Sequence, residues 1–432
     1  MTNIKFYQVL FFLFSLQLSF SQFVKIDTTD VKYRLELEQY YEAKSKATFE
    51  FGNKITDSRV KSDFQEIITK RKKEFISEIK KGKFIQHTVF SPLISTILEE
   101  VKQANPQYNF DDIKILLALD DNINAYNFGE GIIVINLPLL LSVNNEMELS
   151  YIICHEISHQ KLDHVFIGIQ DYVMKSNSKE MIEKTNQIKK IKYNRDAIIK
   201  TEIKSFVYNS RRFSRAKEHE ADSLGFKLYS KTYPKYIIKS IEALQNLKTI
   251  DKEKDSLTKQ DYFRIFENSK VNFEESWLNT EDLSSYNYQK KSKFWDIDSL
   301  RTHPNIDFRV AYLKERFNIS DGEIQEFSNA KYLSLTKENK YDKIFVLYHI
   351  KEYGKSLYQT MILLKNEKEN PILKKMMYDN LIKISEYKSN YKLNKCLETE
   401  SPDFTESYNA FLGFIRNLRK TNFEQIVKNY EY

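Results

Sequence analysis

Glycine and proline are scarce in this chain of 432 residues, with nine of one and seven of the other. Sandwiches and barrels need such turn residues often, so their scarcity favours helices and leaves room for only a small sheet. Cysteine is scarcer still, at Cys154 and Cys396 alone, which excludes a disulfide framework. Whether those two pair is left open by the sequence. Beyond the N-terminal segment no apolar run is long enough to cross a bilayer. The longest, Gly131 to Val143, contains Pro138 and suits a buried strand and turn. Lys and Arg exceed Asp and Glu only modestly, 67 against 60, and are dispersed. A nucleic-acid-binding protein needs a concentrated basic stripe, so that class is set aside. Lysine-rich helices read as solvated faces.

The N-terminus carries a targeting pattern. Lys5 is a small positive region, and Phe6 to Phe20 is apolar but for Gln8, Ser15, Gln17 and Ser19. Ser19-Phe20-Ser21 has the small residues of a cleavage site, so Gln22 is the expected mature N-terminus of an exported protein, periplasmic or secreted. An uncleaved N-terminal membrane anchor is the alternative.

Four regions are expected: a signal peptide over 1–21, a helical segment over 22–83, a central domain over 84–320 and a helical region over 321–432. Phe64, Ile67, Ile68, Phe75 and Ile79 predict a helix from Ser62 to Lys80. Pro92 to Ala104 predicts another, stopped by Asn105-Pro106. Ile113 to Leu119 and Ile132 to Asn136 read as strands, with turns at Asp120-Asp121-Asn122 and Gly129-Glu130-Gly131. A helix is expected from Glu146 to about Gln170, started by a capping box of Asn145 and Glu148. Lys179 to Phe213 and Arg215 to Tyr229 read as helical, and Asp251 to Ser299 as irregular. After Arg309 the chain reads as all helix, divided by Pro371 and Pro402. The fold class is therefore α+β and mainly helical.

The most informative segment is His155-Glu156-Ile157-Ser158-His159. Residues four apart share a helix face, so two imidazoles aim at one point, where zinc accepts them. Glu156 lies one step along, in reach of a water activated by the metal. Cys154 points about 100° away from His155 and reads as a packed thiol. Two histidines leave zinc under-coordinated, and no third histidine follows at metzincin spacing. Glu218 and Asp222 share a helix face downstream. Glu218 can complete the ligands, and Asp222 can accept from the outer nitrogen of a ligating imidazole. Spacing alone fits a solvated acidic helix start equally well.

The combination resembles the zinc metallopeptidase family that includes HtpX and the CAAX prenyl endopeptidases, with exported BepA-like members closest. Asn124-Ala125 before a glycine-bearing turn is similar to the family's edge strand. His155 to His159 with His164 fits an extended HExxHxxxxH form. Ser214-Arg215, Glu218 and Glu220-Ala221-Asp222 fit SRxxExEAD. Thr302-His303-Pro304 with Arg309 fits THPxxxxR.

The resemblance implies one Zn2+ held by His155, His159 and Glu218, with Glu156 as general base and then acid. It makes Asp222 and His164 supporting or packing residues and puts His303 and Arg309 near the substrate as oxyanion donors. It implies a polypeptide substrate pairing with the strand Ile132, Ile133, Val134, Ile135 and Asn136. Two other readings stand beside it: a chaperone-like binding module for envelope proteins, and peripheral contact with anionic membrane. Oligomeric state is not readable.

Overall fold

The computed structural model describes residues 26–27, 29–190, 215–250, 255–266, 274–278, 306–320, 327–401 and 404–430. The leader and its cleavage site, the stretch 191–214, most of the irregular region, His303 and Pro402 lie outside the described residues.

The expected small sheet is present. Its strands are β1 (Ile26–Asp27), β2 (Phe84–His87), β3 (Lys114–Ala118), β4 (Ala125–Gly129) and β5 (Ile132–Asn136), in the order β1-β2-β3-β5-β4. β3 and β5 run parallel, with Lys114 opposite Ile132 and Ala118 opposite Asn136. The other pairs are antiparallel, and β4 carries a bulge between Asn127 and Gly129. The strand at Ala125–Gly129 lies where the resemblance implies an edge strand, although its own residues do not read as one. Its polar, half-buried residues lack the β-branched run that marks β5.

Every residue of β5 is buried because both faces of the sheet are covered. On one side Leu116, Ala118, Ile132 and Val134 meet Leu37, Tyr41, Phe75 and Ile79. Those four come from a helical hairpin, α1 (Val31–Gly52) and α2 (Ser58–Lys80). Helix α2 starts four residues before the expected Ser62, because the Asp57 carboxylate accepts the N–H groups of Arg59 and Val60. On the other side Leu117, Ile133 and Ile135 join the main core.

That core surrounds one helix. Among the described residues α3 (Phe90–Ala104) and α4 (Leu137–Leu140) precede α5 (Glu146–Lys161), and residues 147–158 of α5 are all buried. The capping box forms in part: the Asn145 side chain accepts from Glu148 N–H at 2.9 Å. The Glu148 carboxylate returns to the N–H of Asn144, one residue earlier than expected.

Helix α5 stops well short of Gln170. Asp163 takes a left-handed conformation (φ 51°), and a new helix, α6 (His164–Ser176), begins after it. The expected helix is thus two. An apolar periodicity continued across this turn because Phe166, Ile169 and Val173 pack under α2 with Phe64 and Ile68.

Helix α7 (Lys179–Lys190) follows, then α8 (215–232), α9 (Ile238–Leu247) and α10 (Lys259–Phe266). Seven more run to the C-terminus: α11 (Ile306–Phe317), α12 (Ala330–Glu338), α13 (Asp342–His349), α14 (Tyr353–Asn366), α15 (Pro371–Ser389), α16 (Glu406–Asn417) and α17 (Lys420–Asn429). Pro371 does open a helix, capped by Asn370. Helices α14 to α17 build a second core around Leu357, Met361, Met377, Phe411 and Phe414. Buried polar contacts tie the C-terminal helices to the sheet domain, with His87 Nε2 at 3.0 Å from Asp342 and Tyr332 donating to the Leu140 carbonyl. The cysteines do not pair. Both are free and buried, Cys154 in the first core and Cys396 in the second. Among the described residues no helix is long and apolar enough to cross a membrane.

The β4–β5 turn fixes one glycine. Gly131 has φ +79°, and a Cβ there would lie 2.0 Å from the Asp112 carbonyl oxygen. Gly131→Ala should therefore cost at least about 2 kcal/mol, read as a lowered Tm in a thermal melt.

Candidate active site

Helix α8 crosses α5 at His155, and the crossing is unusually close. A Cβ on Gly225 would stand 3.0 Å from His155 Cα and 3.1 Å from its backbone nitrogen. Glu218, Asp222 and Gly225 are spaced four and three apart, so all three line the same face of α8. Glycine at the contact lets the two carboxylates approach the imidazoles.

The approach brings three ligand atoms together. His155 Nε2 and His159 Nε2 are 3.1 Å apart. One Glu218 oxygen is 3.5 Å from the first and the other 3.4 Å from the second. Ligands about 2.0–2.1 Å from a tetrahedral zinc are separated by about 3.3–3.4 Å, so this triangle has the size such an ion requires. Two neutral imidazoles and one carboxylate suit a borderline cation and leave a fourth corner for water. His155 and Glu218 are buried and His159 nearly so.

Each imidazole is held from behind. Asp222 Oδ1 lies 3.0 Å from His155 Nδ1, as expected, so that nitrogen carries the hydrogen and Nε2 keeps its lone pair for a metal. His164 does the same for His159. The αL turn at Asp163 folds it back, with Nδ1 at 2.9 Å from His159 Nδ1 and Nε2 at 3.1 Å from the Glu220 carboxylate. Burial and the neighbouring His159 pull the His164 pKa down to about 4. A neutral His164 that donates to Glu220 must accept from His159, which again frees Nε2 for a metal.

Arg309 occupies a different place from the one expected. Its guanidinium is buried, donates twice to Asp222, at 2.8 and 2.6 Å, and stands 3.8 Å from Glu218 Oε2. Two of its nitrogens are thus engaged by a buried carboxylate. Arg309 is a positioning residue, matched to the shape of a carboxylate. Burial would raise the Asp222 carboxyl, but Arg309 and His155 hold it well below the usual carboxylate range. Tyr151, kept protonated by burial, also donates to Asp222.

The strand Ile132–Asn136 cannot pair with a peptide, because β3 and β4 flank it on both sides. The edge next to α5 belongs to β4. Glu156 is buried on α5 between the ligand positions. Two site-building residues were missed from sequence, Gly225 and Gln160, whose side chain accepts from Gly131 N–H and ties the β4–β5 turn to α5, and Glu220 was read as part of a motif without its contact to His164. The rarity of glycine was the one signal available for Gly225.

Two outcomes follow from these contacts. Burial lowers the His155 pKa, yet Asp222 and Glu218 together outweigh it and raise it to about 10 in the metal-free protein. Zinc must displace that proton, so its affinity, measured by competition with a chelating dye, should climb from pH 6.5 towards 10. The same charge stabilises the metal-free fold below pH 6.5 and is lost as pH rises through about 10. Asp222→Asn should weaken zinc binding by about 10- to 100-fold in the same titration.

Two comparisons bear on what this site is. No curated protein matches the chain. A family model for peptidase family M48 matches residues 91–317, just over half of the sequence, and spans the strand edge, the ligand helices and Arg309. With its helical α+β fold, its HExxH helix and a carboxylate closing the ligand triangle, the chain belongs to peptidase family M48, a family of metallopeptidases.

Proposed function

We propose that this protein is a zinc-dependent endopeptidase that hydrolyses peptide bonds in polypeptides of the exported compartment. The observation that carries the reading is the triangle of His155, His159 and Glu218 atoms, sized for zinc, on the helix that also bears Glu156. The leader-like N-terminus supports the compartment.

His155, His159 and Glu218 would hold the ion. Bound zinc acidifies a water and polarises a carbonyl, which supplies the electrophilic half of hydrolysis. Glu156 takes the proton from the attacking water and passes it to the departing amine, so one carboxylate serves as base and then acid. Asp222 and His164 keep both imidazoles in the tautomer that leaves Nε2 free. His303 is the remaining donor for the negative charge that builds on the carbonyl oxygen. The substrate backbone lies extended along the free side of β4, where main-chain hydrogen bonds hold it regardless of side chain.

Glu156→Gln tests the assignment. The purified variant should retain zinc, by metal analysis, and cleave an unfolded protein at least about 100-fold more slowly. Undiminished cleavage would falsify the role of Glu156.

A further inference from the structure

The free edge of β4 is short, and a residue outside the family match makes it so. In an antiparallel pair, residues whose N–H and C=O face the neighbouring strand alternate with residues whose groups face away. Asn136 N–H donates to the Asn124 carbonyl, so Asn124 and Tyr126 face β5, and Ala125 and Asn127 turn their groups outward. Among the described residues nothing pairs with those outward groups.

Past Asn127 the edge is closed. The Arg71 guanidinium, from α2, donates to the Phe128 carbonyl at 2.5 Å and sits 4.4 Å over the Phe128 ring. Gly129 N–H is already taken by the Asn127 side chain at 2.9 Å. The bulge falls at the same place and leaves Phe128 out of the β5 register, so its carbonyl is available to Arg71. Tyr41 of α1 and Phe75 of α2 both pack on Phe128, with ring centroids 5.9 and 4.4 Å away. The N-terminal hairpin therefore clamps one end of the strand edge.

We infer that Arg71 is a specificity-determining residue that stops the substrate ladder at Asn127 and so limits how far an extended peptide can pair on one side of the scissile bond. The inference rests on β4 being the substrate's pairing edge. A substrate gains backbone hydrogen bonds at Ala125 and Asn127 and gains none beyond. Recognition on that side depends on a few residues next to the cut, whatever the length of the chain.

The test uses the zinc-loaded full-length protein and two series of peptide hydroxamates. The hydroxamate fixes each peptide on the metal, and the two series lengthen residue by residue in opposite directions. With Arg71 present, affinity in one series should stop rising after the first few residues. Arg71→Met keeps the apolar stem over Phe128 but frees the carbonyl. In that variant the same series should gain a further threefold to tenfold, about the effect of one added hydrogen bond, while the other series is unchanged. Identical length profiles in the two proteins, or a gain in both series, overturn the proposal. Tyr41→Leu loosens the packing on Phe128 without uncovering the carbonyl and should keep the wild-type profile. A Tyr41→Leu profile like that of Arg71→Met would assign the effect to rigidity of the strand end and also overturn it. Because binding is the readout, failure here is distinct from failure of the peptidase reading, which the turnover of Glu156→Gln decides.

Discussion

The close crossing of two helices is the constraint from which the site follows. Helix α8 meets α5 with the backbone of His155 where a side chain on Gly225 would have to be. One and two turns before that glycine, on the same face, come Asp222 and Glu218. The separation of the helices thus sets the distance from carboxylate to imidazole. Arg309 fastens the arrangement from a third segment. A buried ion pair is costly to desolvate, by several kcal/mol per charge, and is tolerated only where the hydrogen bonds are complete. Arg309 and Asp222 meet that condition with two direct bonds, and Asp222 spends its remaining capacity on His155 and Tyr151.

Much of this was legible before any coordinates. The helical period around His155 marked a buried helix, and the spacing of Glu218 and Asp222 placed both on one face. The pairing of Asp222 with His155 followed from the chemistry of a ligating imidazole. What escaped were features decided by long-range packing. Arg309 carries a charge that the motif alone suggests for substrate contact, and only the fold shows it turned inward. The apolar run of Ile132–Asn136 looks like the natural partner for a peptide. It is apolar because it is covered on both faces and flanked by strands on both edges. The true edge, Ala125–Gly129, is polar and irregular for the opposite reason. The stop at Asp163 was hidden because hydrophobic spacing resumes on its far side.

The region before the family match has its own part in this architecture. The hairpin of α1 and α2 covers one face of the sheet with Leu37, Tyr41, Phe75 and Ile79, and its second helix packs on α6 through Phe64 and Ile68. It therefore touches both the strand edge, through Arg71, and the helix after the HExxH segment. At the other end of the molecule, His87 and Asp342 join the sheet to the first helices of the C-terminal region through a contact sealed from solvent.

The two cysteines lie in separate dry cores, so nothing covalent joins distant parts of the backbone. A bound ion held by His155, His159 and Glu218 would then act as a staple, closing the long excursion of chain between His159 and Glu218. Ring closure of that kind removes disorder from the unfolded ensemble, and it forms only when the cation is present. Stability of the central region would thus rise with the concentration of free metal and would be indifferent to the redox state of the surroundings.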